Sequence, residues 1–270
     1  MDFKRKVHSF RDAFQTLQNL MLLTRQAHQS RFDIRQRLVF VSSIAVVGQH
    51  RKITGESMVS ESPVPGSSSA NHIGYAQAKF VSERMLEQAA EAWGSQCELA
   101  YVRVGQMSGN TQTGYWNEQE HVPALIAASR QIKKLRVLRG TLSWIPVDAA
   151  ASSVLDVLFT PQPLRIVHHL ENPTRQPWHE ILCDISDALG LDMNSSVPMS
   201  EWVAKVHNNF HSNTQAVKLG DFFEEDFEHM ACGSVTLDTY QTRQVSLYLR
   251  ELGPVNTQDI QKFIKRWGLL

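Results

Sequence analysis

Leu38-Val39-Phe40-Val41-Ser42-Ser43 is a short apolar run ending in two hydroxyl residues. A continuous run of this length, rich in β-branched and aromatic side chains, fits a strand covered on both faces, as in a parallel sheet under helices. The stretch from about Gly48 to Asn71 has three glycines, two prolines, many serines and no apolar periodicity, and reads as a loop. A helix is expected from about Ile73 to Trp93, stopped near Gly94, and then a second apolar run, Leu99-Ala100-Tyr101-Val102. Upstream, Phe10, Phe14, Leu17, Leu20, Met21 and Leu23 recur at helical steps and predict an amphipathic helix.

Farther out the alternation continues. Helices are expected over about Val122–Leu135 and Ala149–Phe159, and strands over Leu142–Val147 and Leu164–Leu170. Alternating strands and helices argue for an α/β fold, a partial Rossmann-like parallel sheet. Beyond Asn172 the pattern is mainly helical, with candidates at Trp178–Leu189, Ser200–Val206, Lys218–Met230 and Thr257–Trp267. The expected division is therefore a Rossmann-like core, 1–171, incomplete for the reason given below, and a mainly helical C-terminal lobe, 172–270.

The 270 residues are 42% hydrophobic, enough for a sizeable core. The 27 basic and 27 acidic residues cancel, which argues against a dedicated nucleic-acid binder. Cys97, Cys183 and Cys232 are odd in number and widely spread, so a reducing compartment fits best. No apolar run is long enough to span a membrane, and the charged opening segment is not a secretory signal. A soluble, cytoplasmic protein is the expectation.

Tyr75 and Lys79 are four residues apart on the expected helix and so share one face. An isolated phenol, with a pKa near 10, is a poor proton donor or acceptor at neutral pH, and a neighbouring ammonium brings it toward the working range. A serine hydroxyl at the carboxyl end of a strand can bind the substrate carbonyl beside that phenol, the end at which open α/β sheets bind ligands. Taken alone, the same spacing also fits an exposed helical pair.

Three stretches in this order, Val39-Phe40-Val41-Ser42-Ser43, Gly74-Tyr75-Ala76-Gln77-Ala78-Lys79 and Tyr101-Val102-Arg103-Val104-Gly105-Gln106, resemble extended short-chain dehydrogenase/reductases. The chain is most similar to the thioester reductase domains that end fungal polyketide synthases and non-ribosomal-peptide-synthetase-like enzymes. The resemblance implies reduction of an acyl thioester, carried on an acyl or peptidyl carrier protein, by NADP(H), with release of an aldehyde or alcohol in secondary-metabolite biosynthesis. It implies Ser43, rather than Ser42, as the carbonyl-binding serine and Tyr75 as the proton donor. Lys79 would tune the tyrosine and, with Tyr75, hold the nicotinamide ribose. Arg103, Val104, Gly105 and Gln106 would follow the strand beside the nicotinamide.

Such enzymes receive the cofactor pyrophosphate at a Gly-rich turn between a first strand and a helix. Here the first glycine is Gly48, already past the serine strand, and no later glycine cluster has the required spacing. The expectation is a chain that begins about four strands into the family pattern, with an unpaired sheet edge. Three readings of that expectation stay open: a shortened gene product, a redox-inactive interaction module, or one half of a split enzyme whose partner polypeptide supplies the cofactor lobe. A cyclase without redox chemistry is a further alternative, although cyclases of this type usually lack the tyrosine.

His207 and His211 have helical spacing but no accompanying Glu or paired cysteines, so no metal site is expected. The basic stretch from Arg130 to Arg139 fits a solvated helix end or a surface for an acidic carrier. Asp221, Glu224, Glu225, Asp226 and Glu228, interleaved with Phe222, Phe223 and Phe227, fit an amphipathic helix with an acidic outer face.

Overall fold

The computed structural model describes residues 5–31, 33–136, 138–193 and 196–270, except for the side chains of Glu225 and Asp226. The acidic face expected at those two positions lies outside the described residues. The first half runs α1 (Arg11–Ser30), β1 (Arg37–Ser43), α2 (His50–Thr54), β2 (Met58–Val59), α3 (Gly74–Trp93), β3 (Glu98–Val104), β4 (Met107–Ser108) and α4 (His121–Ile132). It continues through β5 (Thr141–Leu142), β6 (Ile145–Pro146), α5 (Val147–Phe159), β7 (Val167–Leu170), β8 (Gln176–Pro177), α6 (Trp178–Leu189) and α7 (Met199–Asn209). The remainder is α8 (Gln215–Lys218), α9 (Gly220–Phe222), a π turn (Phe223–Phe227), α10 (Glu228–Ala231), β9 (Thr236–Leu237), α11 (Tyr240–Val245), α12 (Leu247–Glu251) and α13 (Thr257–Arg266).

The fold is α/β. The main sheet has the order β1-β3-β7 and is parallel throughout, with Ser43 opposite Val104 and Val104 opposite Leu170. Side chains alternate across a strand. Leu99 and Tyr101 therefore face α1 and α3, where Leu17, Met21 and Leu86 are buried. Val102 and Val104 face the other side, packing with Ile145, Ala150, Leu170 and Leu249. Residues after 230 thus return to the sheet.

The sequence expected β1 to be covered on both faces, and this is corrected. β1 lies at the sheet edge, its only strand partner among the described residues is β3, and Val41 is 44% exposed. The apolar stripe of α1 is also narrower than expected, since Leu17 and Met21 are buried whereas Leu20 and Leu23 are exposed. α3 begins where expected because Gly74 lets the N-terminal segment pass: a Cβ there would lie 2.0 Å from the Arg5 carbonyl oxygen.

The strand expected over Leu142–Val147 is instead two short pieces, β5 paired with β8 and β6 paired with β4. Pro146 cannot extend a ladder because it has no N–H, and α5 starts immediately after it. The helix expected over Lys218–Met230 is broken into α9, the π turn and α10. Its wider turn accommodates mutual packing of Phe222, Phe223 and Phe227, with ring centroids 5.3 Å apart for Phe223 and Phe227 and 6.0 Å for Phe222 and Phe227.

The helical lobe is centred on an aromatic core containing Trp116, Trp144, Trp178, Trp202, Phe223, Phe227 and Phe263. This core draws on residues from both sides of position 171. Helices α4 and α6 form its walls, and the Trp202 indole donates to Ser129 Oγ at 3.0 Å. All three cysteines are free. Among the described residues no helix is long and apolar enough to cross a membrane, and no cluster of three potential metal ligands occurs.

Candidate active site

A cavity of about 210 Å³ opens at the carboxyl ends of β1 and β3. It lies between the sheet and the aromatic lobe, so the strand ends supply one wall and α4, the 141–144 segment and the π turn supply the opposite one. Ser43, Tyr75 and Lys79 all line it, as do Val104, Gly105 and Gln106. The apolar part of the opposite wall includes Leu142, Trp144 and Phe227.

The strand period separates the two serines. Ser42 turns toward α3 and donates to Glu83 Oε1 at 2.5 Å, behind the sheet. Ser43 projects the other way, toward Tyr75, while its Oγ accepts the Ala45 N–H at 3.2 Å to start the tight turn after β1. Burial raises the pKa of the Tyr75 phenol, and the Ser43 contact opposes that rise.

Lys79 Nζ donates to the Val41 carbonyl oxygen at 2.7 Å. It also stands 4.5 Å from the Phe40 ring centre and 5.7 Å from that of Tyr75. Burial lowers the Lys79 pKa, and the Glu83 carboxylate one turn along α3 raises it.

Arg103 does not line the cavity. Its side chain is fully buried behind the sheet, where the guanidinium grips Glu83 with Nη2 to Oε2 at 2.8 Å and Nε to Oε1 at 3.1 Å. Its Nη1 donates to the Ser62 carbonyl at 3.0 Å and lies 3.4 Å from His169 Nε2. His169 Nδ1 is 2.8 Å from the Asp238 carbonyl oxygen and must donate there, which leaves Nε2 to accept from Arg103. The alternation of β3 turns Arg103 toward α3, whereas Val104 points away from it.

Four polar residues of the cavity wall were not picked out by the sequence. Glu120 and His121 stand at the start of α4, and Glu171 and Arg175 follow β7. Trp116 Nε1 donates to Glu120 at 3.2 Å, but burial still raises the Glu120 pKa. The His121 ring lies edge-on to Phe222 and Phe227, with centroids 5.5 and 5.6 Å away, and burial pushes its pKa down to about 4. Glu171 carried one readable signal, its place at the carboxyl end of a parallel strand; the other three sit in no motif.

The model of the NAD-binding domain family described as male sterility protein matches residues 1–154. An adenylate-forming reductase of Aspergillus terreus is 40% identical over 99% of this chain and 25% of its own length. The non-reducing polyketide synthase pkdA of Emericella nidulans is 40% identical over 97% of this chain and 11% of its own. The chain thus spans about a quarter of the one relative and about a tenth of the other. Among solved structures, the terminal R domain from the myxalamid PKS-NRPS pathway superposes with a TM-score of 0.77 and 22% identity, covering 98% of this chain and 65% of that one. That likeness extends the agreement from sequence to fold. With more than half of its length matched by the family model, the chain belongs to the male sterility family of NAD-binding domains.

Proposed function

We propose that the chain is the catalytic and substrate-binding part of a cytoplasmic, NADPH-dependent reductase that releases an acyl group from a carrier-protein thioester as an aldehyde or alcohol in secondary-metabolite biosynthesis. The observation that carries this reading is the convergence of Ser43, Tyr75 and Lys79 on one cavity at the strand ends. The kinship with an adenylate-forming reductase and a polyketide synthase supports it.

Tyr75, Lys79 and the Val104-Gly105-Gln106 wall fit the nicotinamide end of such a cofactor, because they offer a phenol, an ammonium and a strand-end backbone at one cavity. Arg103 serves this site indirectly, by fixing Glu83 beneath Lys79. When bound there, the cofactor would supply hydride for the carbonyl carbon. As that carbon becomes tetrahedral, negative charge develops on its oxygen, where Ser43 and Tyr75 hydrogen-bond it. Tyr75 passes its proton to this oxygen, and Lys79 steadies the phenolate left behind. Collapse of the resulting hemithioacetal breaks the carbon–sulfur bond, re-forms the carbonyl as an aldehyde and returns a proton to the departing thiol.

A fluorescence titration of the purified chain with NADPH, followed by an assay with a carrier-bound acyl substrate, tests the reading. Micromolar binding and NADPH-dependent release are expected. Tyr75→Phe should lower turnover by about 10²–10⁴-fold, the usual contribution of a positioned acid. Full activity in Tyr75→Phe overturns the assignment.

The open edge of β1 favours a second reading, in which another polypeptide completes the cofactor site. Failure of NADPH to bind a folded, monodisperse sample, with binding restored by such a partner, distinguishes it from the first. Failure to restore binding points to a redox-inactive module.

A further inference from the structure

In the wall of the same cavity a guanidinium is held by the surrounding chain. Arg175 donates from Nε to Thr141 Oγ1 at 3.0 Å, from Nη1 to Thr236 Oγ1 at 3.1 Å, and from Nη2 to the Thr141 carbonyl at 3.5 Å. Two segments of chain therefore fix its plane. Gly233 clears the space beside it: with φ at +75°, a Cβ at that position would lie 2.4 Å from Nη2.

A guanidinium has five N–H groups, and these bonds use three. The other two have no hydrogen-bond acceptor among the described residues. The Arg175 side chain is 26% exposed and lines the cavity. Its counter-charge, Glu171, lies 3.8 Å from Nη1, beyond hydrogen-bond range. Both Glu171 oxygens are already accepting, one from Ser143 Oγ at 2.5 Å and the other from the Leu237 N–H at 2.6 Å. The carboxylate balances the charge of Arg175 without using its remaining donors. A balanced guanidinium with free N–H groups suits a neutral oxygen acceptor better than a second anion.

We propose that Arg175 is a specificity-determining residue that selects acyl chains carrying a keto oxygen away from the thioester, by donating its two free N–H groups to that oxygen. The proposal rests on the reductase reading for the identity of the ligand as an acyl thioester. The same cavity also has an apolar lining that includes Leu142, Trp144, Met230 and Val235. A fixed donor without an acceptor discriminates strongly, because a chain lacking the oxygen removes water from the guanidinium and returns nothing.

The test measures binding of acyl-pantetheine thioesters to the full chain by calorimetry, without hydride transfer. The ligands are octanoyl-pantetheine and three relatives carrying one ketone at carbon 3, 5 or 7. At least one keto ligand should bind about tenfold or more tightly than octanoyl, the range for a hydrogen bond to a charged group. Arg175→Met should remove that preference by weakening the keto ligand and tightening octanoyl, which no longer strips water from a guanidinium, whereas a merely structural role would weaken every ligand alike. Should Arg175→Met not fold, Arg175→Lys keeps the charge facing Glu171 but not the planar fork, and should cut the preference to below about threefold.

No preference in the wild type, an unchanged preference in the variants, or equal weakening of all four ligands overturns the proposal. Turnover of octanoyl-pantetheine with NADPH reports separately on the reductase reading. A keto preference without turnover sinks that reading and leaves Arg175 standing. Turnover without the preference does the reverse.

Discussion

The polar interior behind the sheet and the aromatic interior of the helical lobe bury their side chains equally well but hold them in different ways. Behind β3, Arg103, Glu83, Ser42 and His169 are nearly inaccessible, and each has a directional partner. In the lobe, Trp116, Trp144 and Trp178 meet edge-to-face at 5.1 and 5.3 Å, so shape and area do the holding. The first interior sets orientation at the site, because Glu83, on the helix that carries Lys79, ties that helix to Ser42 of β1 and Arg103 of β3. The second interior supplies the wall against which a substrate can lie.

The largest test of this contrast is Glu83→Ala, which strands the Arg103 charge and should cost about 3–5 kcal/mol in urea melts. Pairing Glu83→Met with Arg103→Met should recover most of that loss. In the aromatic core, Phe223→Leu combined with Phe227→Leu should recover no more than their mutual contact, about 0.5–1.5 kcal/mol. Equal behaviour of the two pairs would erase the distinction.

Next in size is the contrast between the adjacent serines. Ser42→Ala should cost about 1.5–3 kcal/mol, since it removes a hydrogen bond to a buried carboxylate, and should leave turnover nearly intact. Ser43→Ala should cost only about 0.5–1 kcal/mol through its turn-starting bond, yet reduce kcat by about 10²-fold or more. Reversed results would assign the carbonyl-binding role to Ser42.

The smallest effect is on pH dependence. Burial pushes His168 down to about 4 and His169 to about 3, and the neighbouring Arg103 guanidinium adds to the His169 shift. An unfolded imidazole titrates near 6.5. Below that pH the unfolded state gains protons first, so stability falls as pH drops from about 6.5 toward 4. The raised carboxyls of Glu61, Glu83 and Glu171 work in the opposite sense, with stability falling as pH rises above their unfolded value, so the clean measurement is a difference. Over the acidic range the Tm of wild type should drop faster than that of His169→Gln, by about 2–4 °C per pH unit. Parallel profiles would show that His169 does not titrate on unfolding.

The strand-end side of the cavity was legible in the sequence wherever the signal is local. Tyr75 and Lys79 are one helical turn apart, and a run such as Leu38–Val41 announces a strand, so the fold class and the direction of the strand ends follow. Edge and centre were not legible, because the coverage of Val41 depends on which strands neighbour it rather than on its own residue type. Arg103 was misplaced for a related reason. Its position in the chain beside Val104 says nothing about which face it takes until the register is known. Arg175 was invisible because its setting is assembled from Thr141, Gly233 and Thr236, which lie far from it in the chain.

The bond from Lys79 to Val41 links the open edge to the site. Gln36 gives its carbonyl to Glu98 on the inner side of β1, and the two-residue period therefore turns the Val41 carbonyl outward. Lys79 thus occupies one acceptor on the outer edge, a charged guard of the kind that discourages stray strand pairing. A strand that docks there in register competes with the ammonium for the same acceptor. Pairing at Val41 and the Lys79 bond are therefore coupled: to the extent that they compete for one carbonyl, each weakens the other's hold on it.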